Sequence, residues 1–255
     1  MQLDSVLDAV SEAQQRARVA LLIALLASGT IMIAEWNSYF SWDRRWAEVN
    51  PTAPTEWGQE KVLESQIANW QDANAVDVSL LGIRVSVNDA AVVGSLILVV
   101  AAFYLSMCLR AENLEIGTLL HQMKDDADGE RKWLVFNRIR SGMVFLRAET
   151  SDAAYETLAA RPARQTRIPF AGAVLRLLVF LPAIACAIII ASDVYFAVAY
   201  TDSWKHLEQK YRIQLIATDA FALVCLALIA TFLVSSWRYW HGTRQIVREF
   251  EATLP

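Results

Sequence analysis

The chain has 255 residues, 55% of them hydrophobic, with a mean hydropathy of +0.30 and a formal charge of −4. That is more apolar than an ordinary soluble domain, and so small a net charge argues against a nucleic-acid partner. The apolar residues are also gathered: 19–34, 90–109, 177–192 and 220–237 contain no Asp, Glu, Lys or Arg. With its flanks each run reaches the roughly 20 residues a helix needs to cross a bilayer core. The expected fold is an all-α integral membrane protein with four transmembrane helices, at about 18–36, 90–110, 171–193 and 220–240. They form a single four-helix membrane domain over 1–255, with amphipathic helices in the loops and two short extracytoplasmic strands.

The segment before the first span, MQLDSVLDAVSEAQQ, has three acids and no early base, unlike the basic start of a cleaved signal. Leu3, Val6, Leu7 and Val10 stand at i, i+3, i+4 and i+7, which predicts an amphipathic helix running into the span. Small residues recur every four positions at Ala20, Ala24 and Ser28, a face that lets helix backbones approach closely in lipid. Glu35 closes this span, and Trp36, Trp42 and Trp46 follow it, suited to the headgroup layer.

Residues 37–87 form an extracytoplasmic loop, in which Thr55 caps an expected amphipathic helix with Leu63, Ile67 and Trp70 on one face. Alternation of Ile83, Val85 and Val87 with Arg84 and Ser86 predicts an extended segment over Leu80–Val87. Tyr211–Ala217, at the entrance to the fourth span, is expected to be extended too and to pair with it. Asp89 and Asp219 each stand immediately before an apolar run, where a carboxylate accepts from the first free N–H groups of a helix. The competing reading makes them, with Glu35 and Asp193, residues of an ion path.

The second span carries Ala90/Gly94 and Ala91/Ser95 and extends beyond Arg110 to a break at Asp125-Asp126-Ala127-Asp128-Gly129. Residues 111–169 form the cytoplasmic loop, balanced at nine acids and nine bases. Within it Arg131, Lys132, Arg138, Arg140 and Arg147 accompany an apolar stripe of Val135, Phe136, Ile139, Met143 and Leu146. A basic amphipathic helix beside a membrane binds anionic headgroups or a protein partner; packing against the ends of neighbouring helices explains the stripe equally well. The third span has small residues at Ala183, Ala187 and Ala191 and a bend expected at Pro182. Residues 194–219 form a second, shorter extracytoplasmic loop containing Trp204, and the fourth span ends at Trp237 and Trp240.

Fifteen basic residues fall in the two tails and the 111–169 side, against seven on the other side. Basic residues favour the cytoplasm, so both termini are expected inside the plasma (inner) membrane. Arg18 and Arg176 open the first and third spans with Glu35 and Asp193 seventeen positions on, and Ile83–Ala90 aligns with Ile213–Ala220. This suggests a two-plus-two repeat of 18–110 and 176–240 about an axis along the membrane normal, with chance resemblance of apolar helices as the competitor.

Cys108, Cys186 and Cys225 all lie in spans, and His121, His206 and His241 are scattered, so no disulfide, metal or cofactor site is expected. The expectation is a non-catalytic multi-pass protein, a scaffold, sensor or effector subunit working through helix packing, self-association or another membrane or cytoplasmic protein. The alternative is a homo-oligomeric channel, its lumen lined by weakly polar positions such as Ser95, Thr231 and Ser235.

Overall fold

The computed structural model describes residues 3–49, 76–78, 83–85, 90–124, 128–142, 177–199 and 209–253. The expected loop helix after Thr55, the cap at Asp89, and the continuation of the basic segment through Met143, Leu146 and Arg147 lie outside the described residues. Among the described residues five helices carry the fold: α1 (Leu3–Val49), α2 (Ala90–Lys124), α3 (Gly129–Gly142), α4 (Leu181–Ala199) and α5 (Gln209–Glu251). Two short strands, β1 (Val76–Val78) and β2 (Ile83–Val85), pair antiparallel with Val76 opposite Val85 and Val78 opposite Ile83.

Among the described residues three helices are long and apolar enough to cross a membrane, within Ser5–Asn37, Ala91–Lys124 and Ile216–Glu251, and Leu181–Tyr195 is a shorter apolar helix. The protein is a helical membrane protein. At 1.5 Å per residue α1, α2 and α5 are about 70, 52 and 65 Å long, against about 30 Å of hydrocarbon. Each therefore projects well beyond its apolar run.

The buried positions explain what the projecting parts are for. Along α2, positions 91, 95, 98, 102, 105, 109, 112, 116, 119 and 123 are buried, and along α5, 222, 225, 229, 233, 236, 240, 243, 247 and 250. Steps of three and four recur, with a mean close to the 3.5-residue repeat that keeps one face of a helix toward its neighbours. On α1 a similar stripe runs from Val6 and Val10 through Ala17, Ala20 and Ala24 to Ser28.

The chain divides into two compact units. The first comprises residues 1–26, 101–182 and 229–255, and its core joins Val6 and Val10 of α1, Ile116, Leu119, Leu120 and Met123 of α2, Val135, Phe136 and Ile139 of α3, and Val247 and Phe250 of α5. Every one of these residues lies outside the four apolar runs, so the projecting helices bury a core of their own. The second unit comprises residues 27–100 and 183–228. In it a Cβ on Gly94 of α2 would stand 3.5 Å from Ile189 of α4 and 3.7 Å from Ile31 of α1, so the small residue sets close packing there.

Two expectations are corrected. Residues 211–217 are not extended but belong to α5, and β2 pairs with β1 instead. Nothing between Gln209 and the apolar run interrupts a helix, and Ile213, Ile216 and Ala220 keep helical spacing, so a local β preference loses to propagation of an existing helix. Asp219 is consequently ten residues inside α5 and caps nothing. Pro182, where a bend is expected, follows an interruption of the helix, with 177–178 helical and 179–180 forming a turn. It lies in the first turn of α4, where its missing N–H would have had no helical partner, after a turn in which Phe180 N donates to Leu177 O at 2.9 Å.

Candidate functional site

In the second unit the structure gathers three of the four carboxylates singled out from sequence. Glu35 of α1, Asp193 of α4 and Asp219 of α5 are all half-buried, and Asp193 interacts electrostatically with both of the others. Ser192 Oγ lies 3.3 Å from Glu35 Oε2, to which it donates, and 2.8 Å from Ile189 O in its own helix. Asp219 Oδ1 is buried and accepts no hydrogen bond. The three acids are not spaced as a metal-ligand set, and no other such group occurs among the described residues. A second polar contact in this unit links Ser95 Oγ to Cys186 Sγ at 3.8 Å, with Cys186 Sγ 3.7 Å from Ala222 O. Ser95 is thereby buried inside the chain, where it cannot line a lumen between subunits.

The basic helix α3 belongs to the first unit, and its ends are held in different ways. At its start, Asp128 Oδ1 accepts from the backbone N–H groups of Glu130 and Arg131 at 3.1 and 3.2 Å, an N-cap supplied by the acid-rich break. Lys132 Nζ donates to the carbonyl of Lys124, the last residue of α2, at 2.8 Å. At its other end, Gln14 Nε2 of α1 donates to Ile139 O at 2.9 Å, and the Arg18 guanidinium donates to Gly142 O. Two side chains of α1 thus donate to backbone carbonyls of the last described turn of α3.

These contacts settle how α3 is arranged. It starts beside the far end of α2, and its residues 139–142 lie beside residues 14–18 of α1, immediately before the apolar run at 19, so it runs alongside the projecting helices. Its apolar stripe of Val135, Phe136 and Ile139 is spent on the bundle core. The outward face instead presents Arg131, Leu134 and Arg138, all exposed. A helix lying flat on lipid would have kept that stripe free, so the packing alternative is the one the structure adopts. The side chains of Arg140 and Arg147 lie outside the described residues.

Several polar residues of this unit escaped the sequence reading. Glu112 of α2 is only 7% exposed and Gln14 of α1 only 4%. Asn113 Nδ2 donates to Tyr239 O and to Thr243 Oγ1 of α5 at 3.1 and 2.8 Å, a clamp between α2 and α5. The available signal was spacing: Gln14 stands four residues after Val10, and Glu112 four before Ile116, each in phase with an apolar stripe. Beyond them an open groove of about 390 Å³ lies between α2 and α5, with His121, Lys124 and Glu249 among its lining residues. No family model matches the chain, and neither a curated protein nor a solved structure resembles it significantly.

Proposed function

We propose that this is a multi-pass module of the plasma (inner) membrane, with four spans and both termini cytoplasmic, which acts as a scaffold, sensor or effector subunit without catalysis of its own. One observation carries the reading. The buried seams of α2 and α5 run without interruption from the apolar spans into a four-helix extramembrane core. A helix that keeps one buried face along its length offers a continuous element on which a partner's contact can act. The excess of basic residues beside that core favours the cytoplasm as its compartment. The fourth span is α4, whose 19 residues give about 28 Å of helix, close to the hydrocarbon thickness. Arg131 and Arg138, exposed on the outer face of α3, suit an anionic partner or headgroup reached from the side.

The alternative is a homo-oligomeric channel. Thr231 and Ser235 lie one turn apart on α5, but Ser235 Oγ donates to Thr231 O at 2.9 Å, a bond within the helix rather than toward a lumen. Reconstitution in planar bilayers together with native mass measurement separates the two. The module gives no unitary current. Stepwise current from a closed ring of subunits would replace this reading with the channel.

A further inference from the structure

The open groove between α2 and α5 has an apolar floor and rims of opposite charge. Leu120 of α2 and Ile246 and Phe250 of α5 form the floor, in a space of about 390 Å³. His121 and Lys124 line it from α2 and Glu249 from α5, and all three are exposed. Lys132 Nζ, which donates to Lys124 O at 2.8 Å, adds positive charge on the α2 side. Glu249 accepts from Gln245 Nε2 of its own helix at 2.9 Å, and Arg248, also exposed on α5, does not line the groove.

The two helices run parallel with matched levels. Asn113 Nδ2 donates to Tyr239 O and Thr243 Oγ1, a Cβ on Gly117 would stand 3.6 Å from Ile246, and the groove joins 117–124 to 246–253. Copies of one chain inserted in one membrane point the same way, so the rotation that relates a pair lies along the membrane normal. Such a rotation leaves every level unchanged, and a two-fold axis makes the contact surface self-complementary. With the axis in front of the groove, α2 of each copy faces α5 of the other, and the rim that carries Lys124 meets the rim that carries Glu249.

We propose that this groove is the interface of a two-fold homodimer, in which Lys124 of each copy lies opposite the partner's Glu249 and the two apolar floors are covered together. The charges also select the arrangement. A contact of α2 on α2 would set two Lys124 side chains against each other, and one of α5 on α5 would do the same with Glu249. The inference rests on the module reading, for which it names a second copy of this chain as a partner.

Charge exchange between copies tests it. Full chains labelled with donor or acceptor fluorophores at the N-terminus are reconstituted in liposomes, and energy transfer is followed as the protein is diluted in lipid. The parent should pair. K124E alone and E249K alone should each pair on the order of tenfold more weakly, because both cross-contacts become repulsive. A mixture of K124E copies with E249K copies should recover the parent's pairing, since both contacts of the mixed dimer again join opposite charges. The double variant K124E/E249K should recover it for the same reason. A purely internal effect of either reversal would survive mixing, so a mixture no better than its components overturns the proposal, as does a parent that pairs equally well with either reversal. A parent that stays monomeric, its groove left to lipid or to another protein, overturns the dimer while the module reading stands; that reading fails on unitary current, which energy transfer does not report.

Discussion

Phe136→Ala tests whether α3 belongs to the bundle core or to the lipid surface. Phe136 is 2% exposed and stacks on Phe250 of α5 with ring centroids 6.3 Å apart and planes at 24°. Emptying such a site costs about 3–5 kcal/mol, of which the ring pair accounts for about 0.5–1.5 kcal/mol. Leu134, two residues earlier on the same helix, is 58% exposed, and its truncation should cost at most about 0.5 kcal/mol. Thermal unfolding of the purified protein in one detergent, followed by circular dichroism, compares the two directly. Phe136→Ala should lower the midpoint by on the order of 10 °C, while Leu134→Ala leaves it within about 2 °C of the parent. Vesicle binding adds a second axis, since a lipid-facing Phe136 would lose membrane affinity with little effect on unfolding. Equal midpoints for the two variants would refute the docked arrangement of α3.

Asp219→Ala should raise stability by about 0.5–1 kcal/mol, because Ala favours a helix interior and removes a buried oxygen that lacks a partner. A loss of about 1 kcal/mol in the same melt would restore the capping role that the structure denies it. Ala24→Leu, on a face of α1 that is 1% exposed, should cost about 1–3 kcal/mol by overpacking, whereas Ala187→Leu on the exposed face of α4 should be neutral in parallel melts. Asn113→Ala should cost about 1–3 kcal/mol by removing both donations to α5, and it should raise backbone hydrogen exchange around Tyr239 and Thr243. Asn113→Asp, which can accept from Thr243 Oγ1 but cannot donate to Tyr239 O, should be no better than the alanine variant.

The sequence made some of this legible and hid the rest for identifiable reasons. Apolar runs report helices through solvent preference alone, which is why residues 19–34, 90–109 and 220–237 fall where long helices do. The Asp-rich break before Gly129 was visible because Gly and clustered Asp interrupt a helix locally. Tyr211–Ala217 misled because its β-branched and aromatic content describes local preference, while the outcome depended on the helix that continues through it. The small face at Ala183, Ala187 and Ala191 was a real periodicity, but among the described residues the buried positions of α4 are Pro182, Ala185, Cys186 and Ile189. The carboxylates were found individually, but that Glu35, Asp193 and Asp219 converge is a tertiary fact. Gln14 and Glu112 stayed hidden because a polar residue in phase with an apolar stripe looks like an interruption until the neighbouring helices are in view.

The seams of α2 and α5 also set a rule about length. One added residue swings everything beyond it by about 100°, whereas seven bring it back to within about 20° of its original direction. Between the apolar runs and the extramembrane core these helices therefore carry a fixed rotational phase, and chain can be added or removed there only in whole heptads. Such a change would have to be made to α2 and α5 together, because they meet level by level: Asn113 Nδ2 donates to Tyr239 O and to Thr243 Oγ1. An insertion of any other size in one helix would turn Glu112 or Thr243 out of the seam while leaving every span intact. The protein would still reach its membrane, but with the two halves of each long helix out of step.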